Sequence, residues 1–266
     1  MSKFWKYFRI IFICGYRVVW DYFRYVLPYS RHPERYPIEK RYAAIRSLML
    51  YSLKHLGLDM RLDMAKHASS PLVYVSNHTS ALDPLVLIAS SEAPLSFVAK
   101  KETRKLIYVG RVVRALDGIF LDRDDPFQAV RCFQLMKKRM AEGWSYCIYP
   151  EGTREKGELL GHLLPLHPGS FKIGYMAKCD FSIVATFGSF HAFSNEPYRK
   201  SYLLQAKEVA YLPYEEYKDM KTPALASLVE EKLAGPLLEL VQEDVAYSRD
   251  YPKNKKPPKW WKKEAN

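Results

Sequence analysis

The chain is poor in features that would place it in an oxidising compartment or across a bilayer. Its 266 residues hold only four cysteines, at positions 14, 132, 147 and 179. None forms a CxxC pair or stands at zinc-ligand spacing, so reduced, structural cysteines are expected. Long apolar runs are missing near the start. The longest uncharged stretch there is Ile10–Tyr16, well short of the ~20 residues of a spanning helix. No small-residue cleavage site follows a short apolar core, which argues against a secretory leader. No G-x-S-x-G elbow occurs, which removes the usual signature of a serine nucleophile. His162 and His167 have no acidic or cysteine partner at useful spacing, so no metal and no cofactor is expected. No internal repeat is visible.

What is present is an uneven distribution of charge. The net charge is +12, yet residues 47–252 carry equal numbers of each sign. Residues 1–46 net +7, and residues 253–266 net +5. A neutral body with basic ends suits a globule held to an anionic surface. It does not suit a nucleic-acid-binding protein, since the body is neutral and the ends carry no recognisable binding motif. On a helical wheel, Lys3, Lys6, Arg9, Arg17, Asp21 and Arg24 fall within an arc of about 120°. The opposite side carries Trp5, Phe8, Ile11, Phe12, Val18, Val19 and Phe23. That pattern predicts a helix over residues 1–26 lying in a membrane interface, ended by Pro28. A second helix is expected over 38–57, closed by Gly57.

Beyond it, strand and helix signals alternate. Leu72–Val75, Leu95–Ala99, Gly118–Leu121, Ser145–Tyr149, Ser182–Phe187 and Tyr202–Val209 read as strands. Pro84–Ala89, Pro126–Glu142 and Phe171–Lys178 read as helices, and Pro223–Tyr247 as a last one with Thr222 as its N-cap. The expected fold is α/β, with a largely parallel central sheet flanked by helices. Ahead of it stands an N-terminal amphipathic two-helix membrane-binding segment. The expected organisation is 1–57 interfacial helices, 58–250 α/β domain, and 251–266 a basic tail whose Trp260-Trp261 offers a second interfacial anchor.

The chemistry is concentrated at the ends of the expected strands. Val73-Tyr74-Val75 runs into Ser76-Asn77-His78-Thr79-Ser80-Ala81-Leu82-Asp83-Pro84. His78 can act as a general base, and Asp83 can orient it. In a chain with seven histidines the spacing alone decides little. Asp83-Pro84 also has a structural reading, as N-cap and first residue of a helix. Other strand ends add weight. Lys100 closes one strand, Arg123 follows Gly118–Leu121, and Pro150-Glu151-Gly152-Thr153-Arg154 follows Tyr149. In a parallel sheet these ends share one edge, so a histidine and three cations converge on a site for an anionic substrate. His191-x4-Glu196 repeats the spacing without similar flanks.

Asn77 to Asp83, Gly118 to Arg123 and Pro150 to Arg154 stand in the order and rough spacing of three motif blocks of the glycerolipid acyltransferases. The chain resembles most the lysophosphatidic acid acyltransferase (1-acyl-sn-glycerol-3-phosphate O-acyltransferase) family, over roughly residues 70–210. It departs from that pattern at Ala185, where a proline is expected, and at His167, where a lysine or aromatic residue is common. The resemblance implies transfer of an acyl chain from acyl-CoA or acyl carrier protein to the sn-2 hydroxyl of lysophosphatidic acid. His78 and Asp83 would be catalytic. Gly152 and Thr153 amides would face the oxyanion, Arg154 and Arg123 with Lys100 the acceptor phosphate, and Glu151 would brace the cations. Glycerol 3-phosphate or a lyso-aminolipid is the alternative acceptor on this scaffold, and a non-catalytic lipid-binding protein the alternative class. Partners would be membrane lipids, the lysophospholipid and the thioester donor, with the protein monotopic on the cytoplasmic face of a membrane.

Overall fold

The computed structural model describes residues 15–56, 58–65, 67, 71–122, 128–154, 161–192 and 201–250. Arg123, the first fourteen residues and the Trp260-Trp261 tail lie outside them.

The centre of the molecule is a seven-stranded sheet. Its strands are β1 (Leu58–Asp63), β2 (Val73–Ser76), β3 (Leu95–Lys100), β4 (Ile119–Leu121), β5 (Ser145–Ile148), β6 (Phe181–Phe187) and β7 (Tyr202–Leu212). They lie in the order β1-β7-β6-β2-β5-β3-β4. Strands β2 to β6 are mutually parallel, while β7 runs antiparallel to β6 and carries β1 parallel to itself. Every residue of β2, β5 and β6 is buried. That explains why these strands read as mostly apolar runs, broken only by small hydroxyl residues such as Ser76, Ser145, Ser182 and Thr186, since a strand covered on both faces has no solvent side to mark with charged residues.

The expected strands are all present, and one more is added. Strand β1 alternates half-buried and exposed positions, with Asp59, Arg61 and Asp63 outward. It lies at the sheet edge, where charge on the open face blunts unwanted pairing, and these charges leave it without the apolar run that marks the inner strands. Connections leave the C-terminal ends of β2 and β5 in opposite directions, β2 toward β3 and β5 toward β6. The crevice between those two ends is the topological switch point of the sheet, where ligands of open α/β folds bind.

The helices are α1 (Gly15–Asp21), α2 (Leu27–Arg31), α3 (Ile38–His55), α4 (Asp83–Ser90), α5 (Val109–Ala115), α6 (Gln128–Ala141), α7 (Lys172–Ala177), α8 (Tyr214–Tyr217) and α9 (Thr222–Asp250). Short α5 is an addition to the sequence reading. In α9, Leu225 N–H bonds Lys221 C=O, so Thr222 is already helical and is not the cap. Helix α3 buries Tyr42, Ile45, Leu48, Met49 and Leu53 and joins the same core as the sheet. Arg41 of this helix reaches Asp117 at 2.7 Å and Ala115 C=O at 2.8 Å. The indole of buried Trp144 donates to the same carboxylate at 3.0 Å, so Asp117, just ahead of β4, ties together α3 and the entry of β5.

Pro28 does not end the first helix. Between α1 and α2 the chain makes a π-helical turn, Tyr22–Val26, in which Leu27 N–H reaches back to Tyr22 C=O. Pro28, which has no N–H to give, falls in the first turn of α2, where that loss is tolerated. Asp21 is buried and pairs with Arg17 at 2.6 Å, and Arg17 lies over the ring of Tyr51 in α3. The charged pair therefore faces the protein. Tyr16, Val19, Trp20 and Phe23 face outward, between 57% and 80% exposed.

The three described cysteines, 132, 147 and 179, are free and buried. Burial pushes the Cys132 and Cys179 thiols up to about 12, which suits packing rather than reactivity.

Candidate active site

Strand β2 hands the chain to Asn77 at the switch point. Asn77 is buried and bridges to the neighbouring strand. Its amide donates to Thr186 C=O at 2.9 Å, and its Oδ1 accepts Thr186 N–H at 2.8 Å. This two-way clamp fixes the end of β2 against β6 and sets where His78 begins. The His78 backbone N–H then donates to Glu151 Oε1 at 2.6 Å, and Glu151 Oε2 accepts Leu164 N–H at 3.1 Å. The sequence reading set Glu151 among the cations. Its buried carboxylate holds backbone with both oxygens, joining the ends of β2 and β5.

The His78 ring meets Asp83 through Nδ1, 2.9 Å from Oδ2. Asp83 is fully buried and takes four further donors: Thr79 N–H at 2.7 Å, the Thr79 hydroxyl at 3.5 Å, Ser80 N–H at 2.8 Å and the hydroxyl of Ser189. An ionised carboxylate can only accept, so Nδ1 carries the proton and Nε2 keeps its lone pair. The His78 side chain is 19% exposed, so the ring is not sealed in the core. Its ring stacks on Tyr149 at 4.2 Å and 21°. Burial holds the Tyr149 hydroxyl well above its usual range, so the plate beneath the imidazole is neutral.

Asp83 is not the N-cap that the Asp-Pro pair suggested. Leu82 precedes the helix, Asp83 is its first residue, and no side chain caps it. The carboxylate turns back to the Thr79 and Ser80 amides, which converge on it because the five residues after Asn77 curl into a tight loop.

After β5, Gly152 adopts φ +67, the left-handed region that favours glycine, and a Cβ there would sit 2.9 Å from the His167 ring. Its N–H bonds Tyr149 C=O at 3.0 Å. The Gly152 amide thus closes the turn that carries Thr153 and Arg154. Thr153 and Arg154 are exposed just beyond. Lys100 is exposed at the end of β3, on the same edge of the sheet. The structure thus unites His78, Asp83 and Glu151 by direct bonds, and sets Thr153, Arg154 and Lys100 on their edge.

Sequence reasoning missed Tyr149 and Ser189. Tyr149 was visible as the last residue of an expected strand, though nothing marked its ring as a partner for His78. Ser189 lies in a short turn, Ser189–Ala192, after β6. Its contact with Asp83 spans 106 positions, and no local pattern announces it.

Comparison with known proteins bears on this geometry. Residues 59–186 match the Acyltransferase family model. A probable 1-acyl-sn-glycerol-3-phosphate acyltransferase of Mycoplasma pneumoniae is 28% identical over 56% of this chain and 57% of its own length. The protein of the same description in Mycoplasma genitalium is 29% identical over 60% of this chain and 61% of its own length. The chain thus spans about three fifths of these two relatives. The crystal structure of the 1-acyl-sn-glycerophosphate acyltransferase PlsC from Thermotoga maritima superimposes with a TM-score of 0.70, covering 88% of this chain and 94% of that one at 22% identity. That likeness shows a shared fold. The stretch that matches the Acyltransferase family model, residues 59–186, holds the His78–Asp83 pair and the Glu151–Arg154 turn.

Proposed function

We propose that the chain transfers an acyl group from a thioester, acyl-CoA or acyl carrier protein, to the free sn-2 hydroxyl of lysophosphatidic acid, giving phosphatidic acid. The observation that carries this is the His78–Asp83 pair, at 2.9 Å, open on one side at the sheet's switch point. An alcohol is a weak nucleophile, and a base that takes its proton during attack makes the reaction feasible. His78 Nε2 takes the hydroxyl proton as the oxygen attacks the thioester carbonyl carbon. Asp83 holds the ring in the required tautomer and stabilises the imidazolium that forms. The face of Tyr149 adds attraction for that cation. Collapse of the tetrahedral intermediate breaks the C–S bond, and the imidazolium returns the proton to the leaving thiolate. No protein nucleophile enters.

Thr153 N–H, beside the left-handed Gly152, is the amide we assign to the oxyanion. Arg154 with Lys100, and Arg123 outside the described residues, would hold the phosphate of the acceptor. The names of the relatives support a phosphate-bearing lysolipid as acceptor. Among the described residues no helix is long and apolar enough to cross a membrane. We assign the enzyme a monotopic seat on the cytoplasmic face of a membrane, with the outward side chains of α1 in the lipid interface.

The test is an acceptor and donor panel. Full chain with vesicles should convert lysophosphatidic acid to phosphatidic acid with at least one thioester donor. Activity on glycerol 3-phosphate alone would move the acceptor assignment. Binding of lysolipid with no turnover on any donor would make the chain a lipid-binding protein.

A further inference from the structure

Beyond the N-terminal helices, a second apolar feature stands on the surface. The chain leaves β3 at the sheet edge that holds His78, makes the 3-10 turn Lys101–Lys105, and enters α5 through Leu106, Ile107 and Tyr108. Leu106 is 55% exposed, Ile107 77% and Val109 43%. The turn is held firmly, with Leu106 N–H on Thr103 C=O at 3.1 Å and Gly110 N–H on Leu106 C=O at 2.8 Å. A Cβ at Gly110 would lie 2.7 Å from Arg104 C=O, so the close backbone approach requires glycine there. The apolar tip is therefore presented by a braced loop.

Two observations say what covers it. The tip is continuous with the outward face of the first helices, because Tyr108 stacks on Tyr22 at 5.8 Å and 23°, and Tyr22 meets Phe23 edge-on at 5.2 Å. Its flanks are basic, with Arg104 and Lys105 exposed at its start, Arg111 in its helix and Arg24 exposed on the facing π turn. Apolar side chains ringed by cations match an anionic bilayer, with the tip in the acyl boundary and the cations at the headgroups. Soluble monomers rarely leave such contiguous apolar area to water.

We infer that the turn 104–109 is a second membrane contact, which inserts beside the α1 face and seats the His78 edge of the sheet against an anionic bilayer. This deepens the reading that the acceptor is a lipid. The two anchors fix the tilt of the domain as one could not, so the site meets its acceptor without the lipid leaving the interface.

The decisive experiment labels Ile107→Cys, in a Cys14→Ser background of the full chain, with an environment-sensitive nitrobenzoxadiazole dye. The described cysteines are buried and leave the label to the new site. On adding phosphatidylcholine–phosphatidylglycerol vesicles, the emission should shift to the blue and rise several-fold; an unchanged spectrum overturns the inference. Arg104→Glu with Lys105→Glu should weaken vesicle partitioning about tenfold or more at low salt, with the difference fading at high salt. Equal partitioning at low salt also overturns it. Turnover of detergent-dispersed lysophosphatidic acid is measured in parallel. If the unaltered chain fails to turn it over, the acyl-transfer reading fails while the dye still decides the loop.

Discussion

Two His–Asp pairs in this molecule have similar geometry and opposite surroundings. His78 and Asp83 meet at 2.9 Å, with side chains 19% and 0% exposed. His191 and Asp244 meet at 3.0 Å, with both side chains 1% exposed. The first pair closes within one turn of chain at the mouth of the switch point. The second joins the turn after β6 to α9, across 53 positions, with Phe190 and Tyr202 against the imidazole. The sealed pair satisfies two buried polar groups and ties α9 to the sheet. The open pair seals only its carboxylate and leaves the imidazole partly exposed, as the proposed base requires. A histidine oriented by an aspartate is thus a base or a strut according to what lies on its far side.

The sharpest way to break this comparison is to remove each pair in turn. His78→Ala should lower acyl transfer by about 10³-fold or more while leaving the melting temperature within a few degrees. Asp83→Asn should approach the same loss, because an amide can donate to Nδ1 and favour the wrong tautomer. The check is steady-state turnover beside thermal melting. His191→Ala should do the reverse. It strands Asp244 in the core, and a broken buried pair costs about 3–5 kcal/mol of stability. Turnover per folded molecule should stay within a few-fold, measured well below the lowered melting point. Loss of turnover by His191→Ala with full stability would put the sealed pair in the chemistry and dissolve the contrast.

The two pairs also differ in how far the sequence disclosed them. His78-x4-Asp83 is local, so its spacing could be read, and the blocks at Gly118–Arg123 and Pro150–Arg154 gave it weight. The parallel order of β2 to β6 was legible for a similar reason, because buried parallel strands advertise themselves as apolar runs between helices. His191 was legible only through its spacing to Glu196, which lies outside the described residues, while its bond to Asp244 in α9 spans 53 positions. Ser189 and the clamp of Asn77 on Thr186 are contacts of more than a hundred positions, fixed by sheet order. Strand β1 was hidden by its charges, and the helix past Pro28 by a π turn that no local residue pattern foretells.

A smaller effect sharpens the distinction on its cationic side. Lys100 and Arg154 stand exposed on the edge of the open pair. Arg154→Ala should raise KM for a phosphate-bearing acceptor about tenfold, since charge-assisted bonds to phosphate contribute roughly 1.5–3 kcal/mol before solvent screening. The turnover number should change little. An unchanged KM would move the phosphate site toward Lys100 and Arg123.

Ser189 offers the finest test, because it belongs to both regions. Its hydroxyl donates to Asp83, and two residues later the same short turn carries His191, held by Asp244. The sealed pair thereby positions a donor to the carboxylate of the open one. Removing that hydroxyl leaves Asp83 with the Thr79 N–H and hydroxyl, Ser80 N–H and His78, so the carboxylate stays bound but loses one restraint on its angle to the ring. A hydrogen bond to a charged group contributes roughly 1.5–3 kcal/mol, and the donors that remain on Asp83 offset part of its loss. Ser189→Ala should therefore lower turnover about fivefold, leave KM unchanged, and lower the melting temperature only slightly. His191→Phe, which keeps a ring but gives up the tie to Asp244, should lower turnover by a similar factor if the restraint passes through the turn. A drop with Ser189→Ala and none with His191→Phe would mean that Ser189 is held by its own strand end. The two His–Asp pairs would then be independent, one serving the chemistry and the other the packing of α9.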